Sequence, residues 1–120
     1  MVRIGLLLAM LAASAPAVAS EPELLCLGLS PKFVLTARGA EVTFDYNGDG
    51  TYRLEPPLRP PGMAYQRHDL VTRAARWPLS LDARDCRIAT LVLPLRVEVR
   101  VPTDRGVQRF LGCCLWKTLP

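Results

Sequence analysis

Arg96-Val97-Glu98-Val99-Arg100-Val101 is the stretch of sequence with the clearest periodicity. Valine alternates with a charged residue throughout it, and this period-2 pattern is typical of a strand with one buried face and one solvent-facing face. The next five residues, Pro102-Thr103-Asp104-Arg105-Gly106, predict a turn, and 107–115 predict the strand that returns beside the first. Phe110 and Leu111 are adjacent in that second strand, so the alternation does not assign its two faces.

The remainder of the chain repeats this pattern of short strands and turns. Val42, Phe44 and Tyr46 alternate with polar residues, and Asn47-Gly48-Asp49-Gly50 then leads into 51–54, which predicts a second hairpin. Further strands are expected at 32–37, 70–72, 77–81 and 88–93. Five aromatic residues are expected in the core: Phe33, Phe44, Phe110, Trp77 and Trp116. The sequence therefore predicts an all-β fold, built as a small antiparallel β-barrel or sandwich with disulfides.

One segment cannot belong to a sheet ladder. Pro56-Pro57-Leu58-Arg59-Pro60-Pro61-Gly62 contains four residues without an amide donor, so it predicts an extended, polyproline-like surface loop. Tyr52 and Tyr65 flank this loop. Loops carry recognition on rigid β scaffolds, so we expect any binding surface to include Leu58, Arg59, Tyr52 and Tyr65. The alternative is a loop that simply packs on its own tyrosines.

The first 19 residues have the layout of a secretory signal peptide. Arg3 supplies a short positive region, Ile4 to Leu11 is apolar, and Ala17-Val18-Ala19 fits the cleavage rule, so we expect a cut before Ser20. The alternative is a membrane anchor, but the apolar stretch is shorter than the roughly 20 residues that a span needs. No transmembrane anchor is therefore expected after processing.

Residues 20–120 are expected to form a single β domain that is periplasmic or secreted. The chain has 15 basic and 11 acidic residues, and its formal net charge of +4 falls by one when the leader is removed. So small an excess argues against nucleic acid as a partner. The expected partner is an unknown protein or small ligand in the envelope, and no cofactor is expected.

All four cysteines, Cys26, Cys86, Cys113 and Cys114, lie in the exported part of the chain. An even number of cysteines in a short exported protein is typical of a disulfide framework. Zinc is disfavoured because Cys113 and Cys114 are adjacent and the chain has a single histidine. Neighbours on a strand point to opposite faces, so a bond between Cys113 and Cys114 would be strained. Two connectivities remain, and both tie Cys26 and Cys86 to the C-terminal strand.

Two motifs have the residue types of functional sites. Asp45-x-Asn47-x-Asp49-Gly50 has the start of a calcium loop, but Pro56 occupies the position of the bidentate acid, so a hairpin turn without metal is expected. His68-Asp69 pairs a histidine with a carboxylate, but no nucleophile motif accompanies it. We therefore expect His68 to be a surface-loop residue and expect no catalytic site.

Residues near both ends of the exported part carry a family resemblance. Gly28-Leu29-Ser30-Pro31-Lys32-Phe33 shares its Gly, Pro and Phe with a G-T-E-P-F-W motif, and Cys86 with Gly112-Cys113-Cys114 matches a later cysteine and a terminal G-C-C. In these features the chain resembles an uncharacterised family of small bacterial envelope proteins that are described as lipocalin-like or as predicted membrane proteins. Pro94 matches a proline of that family, while Arg87-Ile88-Ala89-Thr90 replaces its D-G-M-S-D run.

This resemblance implies a small β-barrel in the envelope and transfers no catalytic residue. Members of the family often keep the later cysteine and the first cysteine of the terminal pair, which implies that Cys86 bonds to Cys113. Cys26 would then bond to Cys114. A looser similarity connects the chain with membrane-bound c-type lysozyme inhibitors, whose inhibitory loop motif is missing from this sequence.

The chain is therefore expected to be a non-enzymatic β-barrel module for binding or envelope maintenance. One alternative is a protein inhibitor of a hydrolase such as lysozyme, and another is an enzyme that uses His68 and Asp69. A polar pocket in the barrel mouth would favour a small ligand. A filled barrel with a protruding Pro-rich loop would favour protein recognition.

Overall fold

The computed structural model describes residues 22–46 and 48–117, apart from the side chain of Asp49. The predicted signal peptide lies outside these residues. The described chain is all-β, which confirms the fold class predicted from the sequence. Its strands are β1 (Glu23–Leu29), β2 (Lys32–Arg38), β3 (Glu41–Asp45), β4 (Asp49–Glu55), β5 (Tyr65–Val71), β6 (Arg76–Asp82), β7 (Cys86–Ile88), β8 (Leu91–Leu93), β9 (Leu95–Thr103) and β10 (Gly106–Lys117).

Eight of these strands form a closed antiparallel barrel. They are hydrogen-bonded in the order β1-β10-β9-β6-β5-β4-β3-β2, and β1 closes the barrel because it pairs with both β2 and β10. β7 and β8 form a separate two-stranded hairpin between β6 and β9. We call the lower end the one that carries the β2–β3 turn, the β4–β5 loop and the β6–β7 connection. The upper end carries the β3–β4, β5–β6 and β9–β10 turns.

The hairpin of β9 and β10 is the one that the valine alternation predicts. Val97 and Val99 are fully buried, while Arg100 is exposed, so the strand has the expected inner and outer faces. The turn ends at Gly106, whose φ of 113° lies in the region that favours glycine. The predicted β3–β4 hairpin is also present, with Phe44 opposite Gly50.

Two strand predictions need correction. Residues 88–93 do not form one strand, because Ala89 and Thr90 turn the chain between β7 and β8, with Ala89 at a φ of 54°. The apolar run continues through this turn, so its composition concealed the break. β1 was not predicted, and its inward residues Leu24, Cys26 and Gly28 are buried. After Glu23 the strand has no charged or polar residue to alternate with the leucines, so it carries no period-2 signal.

Aromatic rings fill the upper half of the barrel. Phe33, Phe44 and Phe110 lie with ring centroids 5.3–5.7 Å apart in tilted or edge-to-face pairs. The Phe33 ring lies directly over Gly28 and Gly112, and a Cβ atom on Gly112 would stand 2.8 Å from the ring. The early and late motifs of the resemblance therefore meet in the core. Trp77 and Trp116 are half-buried and pack against its edge.

The two disulfides face opposite sides of β10. Cys26 bonds to Cys114 inside the barrel, where the two residues are paired across β1 and β10 with Cα atoms 4.0 Å apart. Cys86 bonds to Cys113 on the outer face, where Ile88, Leu93 and Cys113 form a small second core under the β7–β8 hairpin. This is the pairing that the resemblance implies. The first bond joins the strands that close the barrel, and the second fastens the hairpin to its wall.

Candidate functional site

The Pro-rich loop between β4 and β5 folds onto the lower end of the barrel. The Leu58 amide donates to the Gly39 carbonyl at 2.8 Å, and the half-buried Leu58 side chain packs against the core. Leu58 and Arg59 line a small cavity of about 200 Å³ with Trp116. The sequence correctly predicts a loop here, and the structure adds that its Leu58 and Arg59 are bonded to the end of the barrel while its other residues are exposed.

Two buried polar side chains of β5 hold this loop. The Arg59 amide donates to Oε1 of Gln66 at 2.9 Å, and Nε2 of Gln66 donates to the Arg59 carbonyl at 3.3 Å. Nδ1 of His68 donates to the Pro56 carbonyl at 2.6 Å, because a carbonyl oxygen can only accept. His68 is 4% exposed, so the expectation of a surface-loop histidine is wrong.

The local pattern of β5 explains the error. Gln66, His68 and Leu70 alternate on the inward face, which places two polar groups under the loop that needs donors and acceptors. Burial lowers the pKa of His68, and the bond to the Pro56 carbonyl opposes this shift; the Arg59 charge lowers the pKa and the Asp69 charge raises it. Gln66 was not singled out by the sequence analysis, although its alternation with His68 and Leu70 is visible there.

His68 and Asp69 do not form an acid–base pair. As neighbours on a strand they point to opposite faces, and the Asp69 carboxylate accepts from Arg76 at 3.3 Å on the outside. Nε2 of His68 lies 2.9 Å from Oε1 of Gln66; because that oxygen can only accept, the imidazolium donates to it, whereas the neutral ring places two acceptors together. Both ring nitrogens therefore face groups that belong to the loop contact.

Tyr52 and Tyr65 lie in two different places, away from Leu58 and Arg59. Tyr52 faces inward, 5.6 Å from Trp77 between ring centroids, and its ring lies directly on Gly50. It also contributes to an open groove of about 1000 Å³ beside the β5–β6 turn. Tyr65 is 49% exposed on the outer face of β5. The structure thus splits the four predicted binding residues among three sites.

The groove beside Tyr52 has mixed charge. Arg38, Arg53 and Arg73 line it together with Glu41. Arg53 is already paired with the Glu55 carboxylate at 2.8 Å, and the groove is broad and open. It offers no convergent set of fixed groups to a ligand.

A second groove runs along the outer face of β6. The small side chains Pro78 and Ser80 form its floor, because longer side chains of β5 stand on one side and those of β9 and β10 on the other. We call it the Pro78 groove; it comprises two adjoining cavities of about 280 Å³ and about 500 Å³ that share Pro78 and Arg100. The residues lining the two cavities are Tyr65, Arg67, Pro78, Leu79, Ser80, Glu98, Arg100, Pro102, Val107 and Arg109.

Two prolines lie where β6 and β9 separate. The ladder between these strands runs from Asp82 opposite Arg96 to Leu79 opposite Val99, and it goes no further. Pro78 is the next residue of β6, and Pro102 lies farther along β9. Neither has an amide hydrogen, so the upper parts of the two strand edges lose ladder donors.

Glu98 organises one wall of the Pro78 groove. Its Oε2 accepts from Nε of Arg100 at 2.8 Å and from Nε of Arg109 at 2.9 Å, and its Oε1 accepts from Nη2 of Arg109 at 3.3 Å. These bonds lower the pKa of Glu98 to about 2. Arg100 and Arg109 are direct cross-strand partners, and like charges in this position repel unless a counter-charge lies between them. One carboxylate therefore holds two guanidinium groups in place.

The charged residues of β9 were predicted only to face solvent, not to form a site. The alternation of Glu98 and Arg100 with the valines is evident in the sequence. Arg109, however, lies beside them only because the register of β9 and β10 pairs it with Arg100. Because Glu98 and its two arginines together carry a net positive charge, the wall can bind an anion.

The calcium prediction is not tested by the described residues. Asn47 and the side chain of Asp49 lie outside them, so the absence of calcium stays a prediction. Within 22–46 and 48–117, no group of three or more His, Cys, Asp or Glu side chains is arranged to hold a metal ion. The same residues include no helix long and apolar enough to cross a membrane.

Comparisons with protein-family models, with curated proteins and with solved structures find no match for this chain. The resemblance to the lipocalin-like envelope family therefore stays a prediction. The class of protein that the structure defines is a disulfide-bonded, eight-stranded antiparallel β-barrel.

Proposed function

We propose that this protein is a non-enzymatic recognition module that works outside the cytoplasm and binds a partner protein through its outer surface. The observation that carries the proposal is the filled interior. Phe33, Phe44 and Phe110 occupy one half of the barrel, and the Cys26–Cys114 bond with surrounding leucines occupies the other. A small barrel filled by side chains holds its ligand on the outside or not at all.

Four further features support the proposal. Two disulfides suit an oxidising compartment, in agreement with the predicted signal peptide. The Pro-rich loop is bonded to the barrel end, so the surface is rigid and loses little conformational entropy when it binds. The outer face also offers fixed guanidinium groups beside apolar side chains in the Pro78 groove. The resemblance to envelope proteins points to the same compartment.

Capture in the native compartment tests this function. The full chain is expressed with its own leader and a C-terminal tag, recovered from the extracytoplasmic fraction, and cross-linked to its neighbours there. Each captured protein is then purified, and its affinity for the tagged chain is measured by titration calorimetry. Reduced and alkylated protein is the control, since loss of both disulfides should destabilise the barrel and its surface.

We expect one captured protein to bind the oxidised form saturably and the reduced form at least about tenfold more weakly. If that protein is a hydrolase whose activity falls on binding, the module is an inhibitor. Absence of saturable protein binding would contradict the proposal. A hydrolytic activity of the chain that disappears in the His68→Gln variant would instead support the enzyme alternative.

A further inference from the structure

We propose that the Pro78 groove is the docking site for an extended segment of the partner that presents a carboxylate side chain between apolar ones. This inference rests on the proposed function and adds to it the chemistry of the partner. It is carried by three features of the groove: an apolar stretch formed by Pro78, Pro102 and Val107, a preorganised pair of arginines, and strand edges that lack amide donors at the two prolines.

The apolar part of the groove remains open to solvent. Val107 is 63% exposed and Tyr65 is 49% exposed, and both line the groove at its two ends. Pro78 and Pro102 lie between them, so side chains of a bound segment would meet carbon atoms in the cavity that these prolines line with Val107. The adjoining cavity is lined mainly by Ser80 and charged side chains. Burial of such surface is the main favourable contribution to association.

The charged part of the groove has guanidinium groups positioned to bind a carboxylate. Arg100 uses its Nε, and Arg109 its Nε and Nη2, to bind Glu98. Their remaining guanidinium nitrogens make no ion pair within the described residues. A guanidinium held by one carboxylate has lost most of its side-chain freedom already, so a second carboxylate binds it at a lower entropic cost. Arg67 adds positive charge from the opposite wall.

Pro78 and Pro102 disfavour binding of a partner segment as an added β-strand. A strand that docked onto β6 or β9 would need backbone donors from the free edges, and Pro78 and Pro102 supply none. A planar carboxylate that binds the guanidinium groups, on a chain whose apolar side chains cover Pro78, Pro102 and Val107, satisfies both parts of the groove.

Peptide titration of the full, isotope-labelled chain tests this docking site. The probe is a capped pentapeptide that alternates leucine and glutamate. Its binding is measured by NMR chemical-shift changes of the labelled chain. One control peptide replaces glutamate by glutamine, and another replaces leucine by glycine. Inorganic phosphate and vesicles that contain phosphatidylglycerol serve as the other anions. Arg100→Gln and Arg109→Gln are the test variants, and Arg105→Gln in the β9–β10 turn is the matched control.

The largest shifts are expected around Arg100, Val107 and Arg109. Each control peptide and each test variant should weaken binding by about tenfold, whereas Arg105→Gln should bind like the wild type. Shifts that map elsewhere, equal binding of the glutamine peptide, or equally strong effects from phosphate or vesicles would overturn the assignment. If the purified partner binds Arg100→Gln and Arg109→Gln as tightly as the wild type, the docking site is wrong and the proposed function still stands.

Discussion

The two halves of the barrel interior are closed by different physical means. In the upper half Phe33, Phe44 and Phe110 pack ring against ring, and Phe33 lies on two glycines. At the lower end Gln66 and His68 point inward and bind the backbone of a proline-rich loop. The aromatic core is close-packed, so a larger side chain would not fit, but it needs no directional bonds. The polar end depends on each buried hydrogen-bonding group having its donor or acceptor. Substitutions in each half should therefore change the free energy of unfolding by different amounts.

The largest loss is expected from the aromatic half. Phe33→Ala removes a fully buried ring that contacts β1, β3 and β10, and should lower the free energy of unfolding by about 3–5 kcal/mol. Val34→Ala is the matched control on the same strand, because Val34 is exposed, and it should cost about 0.5 kcal/mol or less. Urea unfolding followed by circular dichroism measures both. Equal losses in the two variants would contradict the assignment of faces on β2.

A smaller loss is expected from the polar end. His68→Leu removes the donor to the Pro56 carbonyl and should cost about 1–3 kcal/mol, since that carbonyl then lacks its partner. Arg67→Leu, on the outward face of the same strand, is the control and should change the free energy of unfolding little. Hydrogen exchange should show faster exchange of the Leu58 and Arg59 amides in His68→Leu. Unchanged exchange at these amides would show that His68 does not hold the loop.

Acidification should lower the free energy of unfolding through Glu98 on the outer face of the barrel. The pKa of Glu98 is about 2 in the folded protein because Arg109 and Arg100 bind its carboxylate, against an ordinary value of 4.5. Its stabilising contribution is therefore complete above pH 4.5 and declines as the pH falls from 4.5 towards 2. Both arginines are more than half exposed, so solvent screening limits the effect to about 1–2 kcal/mol. The decline should be reduced in Glu98→Gln, measured by urea unfolding at stepped pH.

His68 should act in a separate and higher pH window. Because burial lowers its pKa below 6.5, the unfolded chain takes up a proton at a pH where the folded protein does not. The neutral ring thus contributes stability above pH 6.5 that is lost as the pH falls towards the folded pKa, with a slope of at most about 1.4 kcal/mol per pH unit. His68→Gln should flatten this part of the profile and leave the Glu98 part unchanged. A profile that rises on acidification through this window would mean that the imidazolium, which can donate to both Pro56 and Gln66, is the bound form.

Much of the strand pattern can be derived from the sequence alone. The valines of β9, the aromatic alternation of β3 and the glycine-containing turns all act over a few residues, so they are legible in the sequence. The failures have equally specific causes. β7 and β8 are too short for their alternation to be recognised, and the adjacent turn at Ala89 has an apolar residue where glycine or asparagine would signal it.

The candidate site depended on contacts across strands. Pro78, Glu98 and Arg109 lie on three different strands, and each alone is an ordinary residue on a solvent-facing side. The Pro-rich loop was recognised as a loop because proline lacks a donor, but its position on Gln66 and His68 was not. That position follows from the pairing of β4 with β5, which stops at Glu55 opposite Asp69 and leaves the next part of β5 for the loop to cover.

Which residues share a face of a strand follows from the sequence alone, since side chains alternate direction along any extended chain. The same parity places Cys113 and Cys114 on opposite sides of β10 and leaves Cys86 and Cys26 as their partners. The remaining features depend on the folded barrel, because register and closure require all eight strands to fit together. That fit brings Cys26 opposite Cys114, buries His68 beneath a loop that begins at Pro56, and places two arginines around Glu98.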